Sequence, residues 1–310
     1  MALNTYTAQE VGDVTARLVD TGLHLANHVS RLTDSDFAEA HGGHAYFRVP
    51  TVLTARARDL RDVSTQMVFD RLNEARVSVD LTTDLVSGVR IGDAEYSLDL
   101  QDYSRQVLRP QTDSIADGID AALADVLAGI DAVETSFDPT TPARLFTEGR
   151  RALRNIGVDV ANEPLVAFVG GNVIDALLDS DALDFAATGD ANALRAGSIG
   201  RVRGFEVVET ARGITADEVV FAPRNGLYVA TVAPKVPEGV TFGASTNIEG
   251  VAVRYLRDYD SNTLSDRSIV SVFVGAGVSP FYDVARDEVT GTATATPVEG
   301  GAVVKFTTTA

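Results

Sequence analysis

Residues 110–133 read PQTDSIADGIDAALADVLAGIDAV. Ile115, Ile119, Leu123, Val126, Leu127, Ile130 and Val133 fall on one continuous stripe at helical spacing, and Asp113, Asp117, Asp120, Asp125 and Asp131 occupy the other face. Pro110 suits the first position of a helix, because its missing N–H would have no intrahelical partner there. At 1.5 Å per residue the expected helix is about 36 Å long, a spine rather than an average element. Gly118 and Gly129 lower its intrinsic propensity, so packing must hold it. The ordinary reading of the carboxylates is a solvated face.

Upstream, residues 8–33 read as an amphipathic helical arm, with Val11, Val14, Leu18, Leu25, Val29 and Leu32 at spacings of three, four and seven. A breaker follows around Ala40-His41-Gly42-Gly43. His44 to Pro50 and Val77 to Leu81 look like strands. Between them runs an excursion, Thr51 to Arg76, containing Arg56, Arg58, Arg61, Arg71 and Arg76. Connections in compact domains are usually ~4–6 residues, so this one needs a reason, and contact with another chain supplies one. Residues 90–100 alternate weakly as a short strand.

Downstream, Asp138-Pro139-Thr140-Thr141-Pro142 is a turn-rich hinge. Beyond it helix and strand alternate: a helix over Ala143–Ile156, a buried-type strand over Leu165–Val169, a helix through Leu178 capped by Asn172, and strands around 205–208 and 227–230. Val251–Leu256 and Ser268–Val274 form a two-stranded pattern whose tip carries Asp258-Tyr259-Asp260-Ser261-Asn262. Residues 286–310 read as a hairpin around Glu299-Gly300-Gly301.

Composition sets limits. A chain of 310 residues, 45% hydrophobic and 23% charged, can build a sizeable core. No apolar run approaches the ~20 residues that cross a bilayer, so no membrane partner is expected. The start, MALNTYTAQEVGDV, lacks the pattern of a secretory signal. The absence of cysteine removes disulfides, thiolate metal sites and thiol nucleophiles. With Lys+Arg 26 against Asp+Glu 44, the net charge of −18 disfavours tight binding to a phosphate backbone. Only Lys235 and Lys305 are lysines, so 24 of the 26 basic residues are arginines, which a GC-rich genome would also produce.

Recognisable chemistry is sparse. His24 and His28, at i and i+4, would share a helix face and could share a metal, but a zincin pattern needs a glutamate where Leu25 stands. His41 and His44 lie nearby in sequence. Val169-Gly170-Gly171-Asn172 could turn amides toward an anion, although it matches neither a dinucleotide nor a Walker loop; a tight turn is the simpler reading. Val274-Gly275-Ala276-Gly277 reads as a close approach of backbones. No catalytic residue and no cofactor is expected.

The order of elements, together with Met1-Ala2-Leu3-Asn4, Val77-Ser78-Val79-Asp80-Leu81 leading into Leu98-Asp99-Leu100-Gln101-Asp102, and Gly197-Ser198-Ile199-Gly200-Arg201-Val202-Arg203-Gly204-Phe205-Glu206-Val207, resembles the major capsid proteins of tailed phages. These have the Hong Kong 97 (Johnson) fold, and the resemblance is to the branch that assembles with a separate scaffolding protein. It implies an α+β chain: an N-terminal arm (1–42), an extended loop (43–82), a peripheral domain with the spine helix (83–138) and a return hairpin (246–285), an α/β axial domain (139–245) and a C-terminal β-hairpin (286–310). It further implies a non-enzymatic subunit that forms pentamers and hexamers of an icosahedral head around double-stranded DNA, in a virion assembled in the host bacterial cytoplasm. The implied partners are further copies, a scaffolding protein, a portal protein and, as an option, a cement protein; DNA would be touched only weakly. Arm and loop are expected to lie across neighbouring subunits. There Arg56, Arg58, Arg61, Arg71 and Arg76 would meet carboxylates such as Asp117 and Asp120 on the spine or Asp258 and Asp260 at the tip. Some shells of this fold cross-link a loop lysine, but 43–82 contains none, so no covalent ring is expected. The alternatives are an encapsulin-like compartment shell, which shares the architecture, and an α/β metal-dependent enzyme using the histidines.

Overall fold

A computed structural model describes residues 7–33, 39–41, 44–49, 60–61, 75–92, 103–180, 200–240, 242–286 and 293–309. Helix α1 (Ala8–Gly22) starts on a capping box, in which the Glu10 N–H donates to Thr7 Oγ1 at 3.2 Å and the Thr7 N–H to Glu10 Oε2 at 2.8 Å. Its buried side presents Ala16 and Val19. The helix expected to reach residue 33 ends at Gly22 instead. Asp120 captures the N–H groups of His24, Leu25 and Ala26 at 2.7, 3.1 and 2.9 Å, which turns the chain into a 310 turn (Ala26–His28) and then strand β1 (Ser30–Thr33).

Strands β2 (Glu39–His41), β3 (His44–Val49) and β4 (Ala75–Asp80) form an antiparallel ribbon. Strand β5 (Thr83–Gly92) leads toward a π-helical turn (Ser104–Leu108) that runs directly into the spine, helix α2 (Arg109–Ala128). At 20 residues this helix is about 30 Å long, shorter than the sequence suggests. It stops at Gly129, and Val133, expected on its apolar stripe, lies 57% exposed on strand β6 (Ala132–Ser136).

Next come helix α3 (Ala143–Ile156), strand β7 (Leu165–Val169), helix α4 (Gly171–Asp179), and strands β8 (Arg201–Val202), β9 (Phe205–Glu209), β10 (Glu218–Pro223) and β11 (Leu227–Val232). Strands β12 (Phe242–Ile248), β13 (Val251–Asp260), β14 (Ser265–Val278), β15 (Phe281–Arg286), β16 (Ala293–Val298) and β17 (Val304–Thr309) complete the chain. Helix α4 is not capped by Asn172, whose side-chain amide instead donates to Asp217 Oδ1 at 2.7 Å.

Among the described residues two six-stranded sheets dominate. The first runs β1-β11-β14-β13-β12, with β5 also paired to β14; the second runs β6-β17-β10-β7-β9-β8. The C-terminal hairpin expected over 286–310 is not formed. Glu299 and Gly300 do turn, but β16 pairs with β15, whereas β17 inserts between β6 and β10 in the second sheet. There Phe306 packs on Phe221 with ring centroids 5.8 Å apart, a burial that a peripheral hairpin would not provide.

Strand β7 is buried on both faces, which explains its continuous apolar run. Leu165, Ala167 and Val169 join Phe146 and Leu153 of α3 and Val173 and Leu177 of α4, so both helices cover one face of the second sheet. Val166 and Phe168 point the other way, into a core shared with Leu123 and Leu127 of the spine, Val19 and Leu25. Hydrogen bonds pin the buried side of the spine too. Buried Gln111 donates to Ser87 O (3.0 Å) and Ser268 O (2.9 Å) and accepts from Ser268 Oγ (2.8 Å). At Gly118 a Cβ would lie 2.8 Å from Leu85 Cδ1, so the glycine lets helix and strand approach.

Residues 7–33 therefore pack on the body of their own chain, with Val19, Leu25 and Val29 in the main core. For residues 7–33 this corrects the expectation that the arm is satisfied only by neighbouring copies: Val11, Leu18, Val19, Leu25 and Val29 have intrachain partners, while Val14 is 47% exposed.

Candidate functional site

Strand β1 fixes where the histidines go. Because α1 has ended, His24 and His28 do not share a helix face; their rings stand edge to face with centroids 6.5 Å apart. His24 Nε2 lies 3.1 Å from Glu209 O, and His28 Nδ1 lies 3.2 Å from Glu206 Oε1. Each ring thus braces the arm against β9. Burial lowers the His28 pKa, Glu206 opposes that shift, and His24 and Arg224 reinforce it. Among the described residues no group of three or more His, Cys, Asp or Glu side chains could hold a metal. His41 and His44 face one another across β2 and β3 in backbone register.

The Gly170-Gly171 turn is committed internally: the Gly170 N–H donates to Glu218 O (2.9 Å) and the Asn172 N–H to Ala216 O (3.1 Å). A Cβ on Gly170 would meet Thr215 O at 2.2 Å. The turn is tight and does not present those amides to an anion.

The ribbon is rooted on the body. Val79 is fully buried with Tyr228 and Ala230, and the Thr82 N–H donates to Val274 O at 3.2 Å. A Cβ on Gly275 would lie 2.2 Å from Asp80 O, the close approach that Gly275-Ala276-Gly277 suggests. Burial, with Asp80 beside it, raises the Tyr228 pKa.

The sequence-nominated contact residues divide sharply. Asp120 is 3% exposed and accepts the three arm N–H groups, so it is withdrawn from any contact with another subunit. Asp117 stands on the exposed spine face, 3.1 Å from Arg212 Nη1. Asp258 lies directly opposite Arg267 across β13 and β14 and 2.5 Å from its Nη2; Asp260 Oδ2 is 3.6 Å from Nη1 of the same arginine. The acidic tip is thus partly neutralised within its own hairpin. Arg61 is exposed. Arg76 lies on β4 opposite Arg48 in register, while Arg56, Arg58 and Arg71 fall outside the described residues, as do Met1 to Asn4, Leu98 to Asp102 and Gly197 to Ile199.

Sequence reasoning missed two features. Lys305 is 4% exposed and makes a buried pair with Glu218 at 3.1 Å, joining β17 to β10. Burial raises the Glu218 pKa, but the Thr215 N–H and Lys305 outweigh it and the net shift is downward. A lone lysine amid a Val/Phe/Thr strand is the signal that was available. The second feature is the outer side of α3, where Arg144, Arg150, Arg151 and Arg154 line a cavity of about 300 Å³ with Thr147 and Glu148.

No family model and no curated protein matches the chain. Solved structures do. Mycobacterium phage Che8 is similar at 20% identity over 91% of this chain and 89% of that one, with a TM-score of 0.55. The capsid of an empty GTA particle is similar at 13% identity, over 93% and 90%, with a TM-score of 0.53. The head of Helicobacter pylori bacteriophage KHP40 is similar at 10% identity, over 92% and 87%, with a TM-score of 0.53. At such identities the likeness establishes the fold: this chain has the α+β, Hong Kong 97-type architecture expected from the order of its elements.

Proposed function

We propose that this chain is the major capsid protein of a tailed bacteriophage, a structural subunit that assembles into the icosahedral head around double-stranded DNA. The observation that supports this reading best is the extent of the likeness: about nine-tenths of the chain aligns with about nine-tenths of phage and capsid chains, so the likeness is to the whole fold and not to one part of it. Closed shells use heterologous contacts, in which different patches of one subunit meet around each symmetry axis.

On this reading the partners are further copies in pentamers and hexamers, with scaffolding and portal proteins and, where present, a cement protein. The location is the virion, after assembly in the host bacterial cytoplasm. The second sheet with α3 and α4 forms the axial domain, completed by β6 and β17; of the expected span 139–245, β11 and the start of β12 pair in the first sheet instead. The spine (83–138) and the β13–β14 hairpin (246–285) form the peripheral domain. The segment 1–42 is the arm, and 43–82 is the extended loop. The extended-loop arginines Arg56, Arg58, Arg61, Arg71 and Arg76 would lie over a neighbour, where Asp117, Asp258 and Asp260 remain candidates and Asp120 does not. Each exposed pair is worth only about 0–1 kcal/mol, so such contacts matter through repetition over the shell. No step of the role needs a catalytic group, and the subunit is not an enzyme.

The test is sedimentation velocity with negative-stain electron microscopy on the purified protein, alone and co-expressed with its scaffolding protein. Closed particles or five- and six-fold rings are expected. A 32.8 kDa species that stays monomeric under both conditions contradicts the proposal.

A further inference from the structure

Helices α3 and α4 lie on the same face of the second sheet, yet their solvent sides have opposite charge. Helix α3 contributes Arg144, Arg150, Arg151 and Arg154 against a single glutamate, Glu148, around a cavity of about 300 Å³. Glu148 is already engaged, by Arg144 Nε at 3.4 Å and Thr135 Oγ1 at 3.2 Å. Arg150 donates to carbonyls, those of Arg203 (3.0 Å) and Val160 (2.8 Å), and among the described residues no carboxylate offsets it. Arg151 and Arg154 are exposed and form no ion pair among the described residues. Helix α4 carries only two charges, Asp175 and Asp179, one turn apart, both exposed and likewise without an ion pair. Leu178 stands beside them, 38% exposed.

We infer that these two surfaces are the two halves of one contact, with the arginine-lined side of α3 in one copy receiving the Asp175/Asp179 side of α4 in the next. The inference rests on the shell reading and names one of its interfaces. A heterologous contact between identical chains must draw both complementary charges from one sequence, and Arg151 and Arg154 on one patch and Asp175 and Asp179 on the other are complementary and without an ion pair among the described residues. A guanidinium fork matches a carboxylate in bidentate geometry, and the cavity has room for a few side chains. A nucleic-acid backbone is the weaker occupant, because the chain carries −18 overall and would repel a duplex on approach.

The test measures the threshold concentration for assembly, by light scattering and sedimentation, for four chains: wild type, R151E/R154E, D175R/D179R and the chain combining both pairs. Circular dichroism checks that each is folded, and R151A/R154A provides a milder version should a reversal unfold the subunit. Each reversal should raise the threshold about tenfold at low salt, since two attractive pairs per contact become repulsive. The alanine pair should raise it less, and the combined chain should recover most of the loss. Reversals that leave the threshold unchanged overturn the inference, as does a combined chain that is folded but does not recover. Reversals that abolish retention of duplex DNA on filters, without affecting assembly, overturn it in favour of nucleic acid. Failure of the wild type to assemble counts against the shell reading itself and is distinguishable from all of these.

Discussion

Replacing Asp120 by alanine should unfasten the arm from the spine. The carboxylate is 3% exposed and accepts the N–H groups of His24, Leu25 and Ala26 at 2.7, 3.1 and 2.9 Å. A hydrogen bond to a charged acceptor contributes about 1.5–3 kcal/mol, and an unmet buried donor costs about 1–3 kcal/mol. The three bonds share one side chain and do not add, and loss of an aspartate cap alone costs about 0.5–2 kcal/mol. The expected loss is therefore about 3 kcal/mol for Asp120→Ala, and about half that for Asp120→Asn, which keeps an acceptor oxygen. Urea denaturation of disassembled subunits measures the loss, and amide exchange should quicken at residues 24–26 while the spine amides stay protected. A loss below ~1 kcal/mol, or faster exchange spread evenly along α2, would refute the claim that this carboxylate holds the arm.

Gly275→Ala places a methyl 2.2 Å from Asp80 O, so it should displace the ribbon root and reduce the yield of correctly closed particles by microscopy; a normal yield would show that the root yields without cost. His28, whose pKa is lowered in the fold chiefly by burial, should contribute stability that is present above about pH 6.5 and lost as pH falls through the folded value. Denaturation midpoints at pH 7.5 and 5 should differ less in His28→Gln than in the wild type, and an unchanged difference would clear His28 of the effect. Boiled particles should run as a single band near 32.8 kDa, because residues 43–82 contain no lysine; a ladder of larger bands would show a cross-link of another kind.

Periodicity located elements that bury one clear face. Ala143–Ile156 and Leu165–Val169 were legible to the residue, because Gly157 takes a left-handed φ of 103° to end the helix and the strand is bounded by a proline and a glycine. Where the sequence misled, a distant partner decided. The spacing of Leu25, Val29 and Leu32 suits a helix, but Asp120, nearly a hundred residues away, ends α1 and lets β1 pair with β11. The C-terminal strand has the right turn before it, yet Lys305 and Phe306 find better partners in β10 than in β16. Charge was the least legible property. Asp117 and Asp120 look alike in the spine's repeat, although one is solvated and the other is buried under the arm.

Cryo-electron microscopy of assembled particles at side-chain resolution tests the account most directly. It should show closed icosahedral heads in which residues 7–33 stay on their own subunit, the ribbon crosses to a neighbour, and α3 of one copy faces α4 of the next. Particles of another symmetry, or a protein found only as single subunits with the ribbon folded back on its own body, would contradict it.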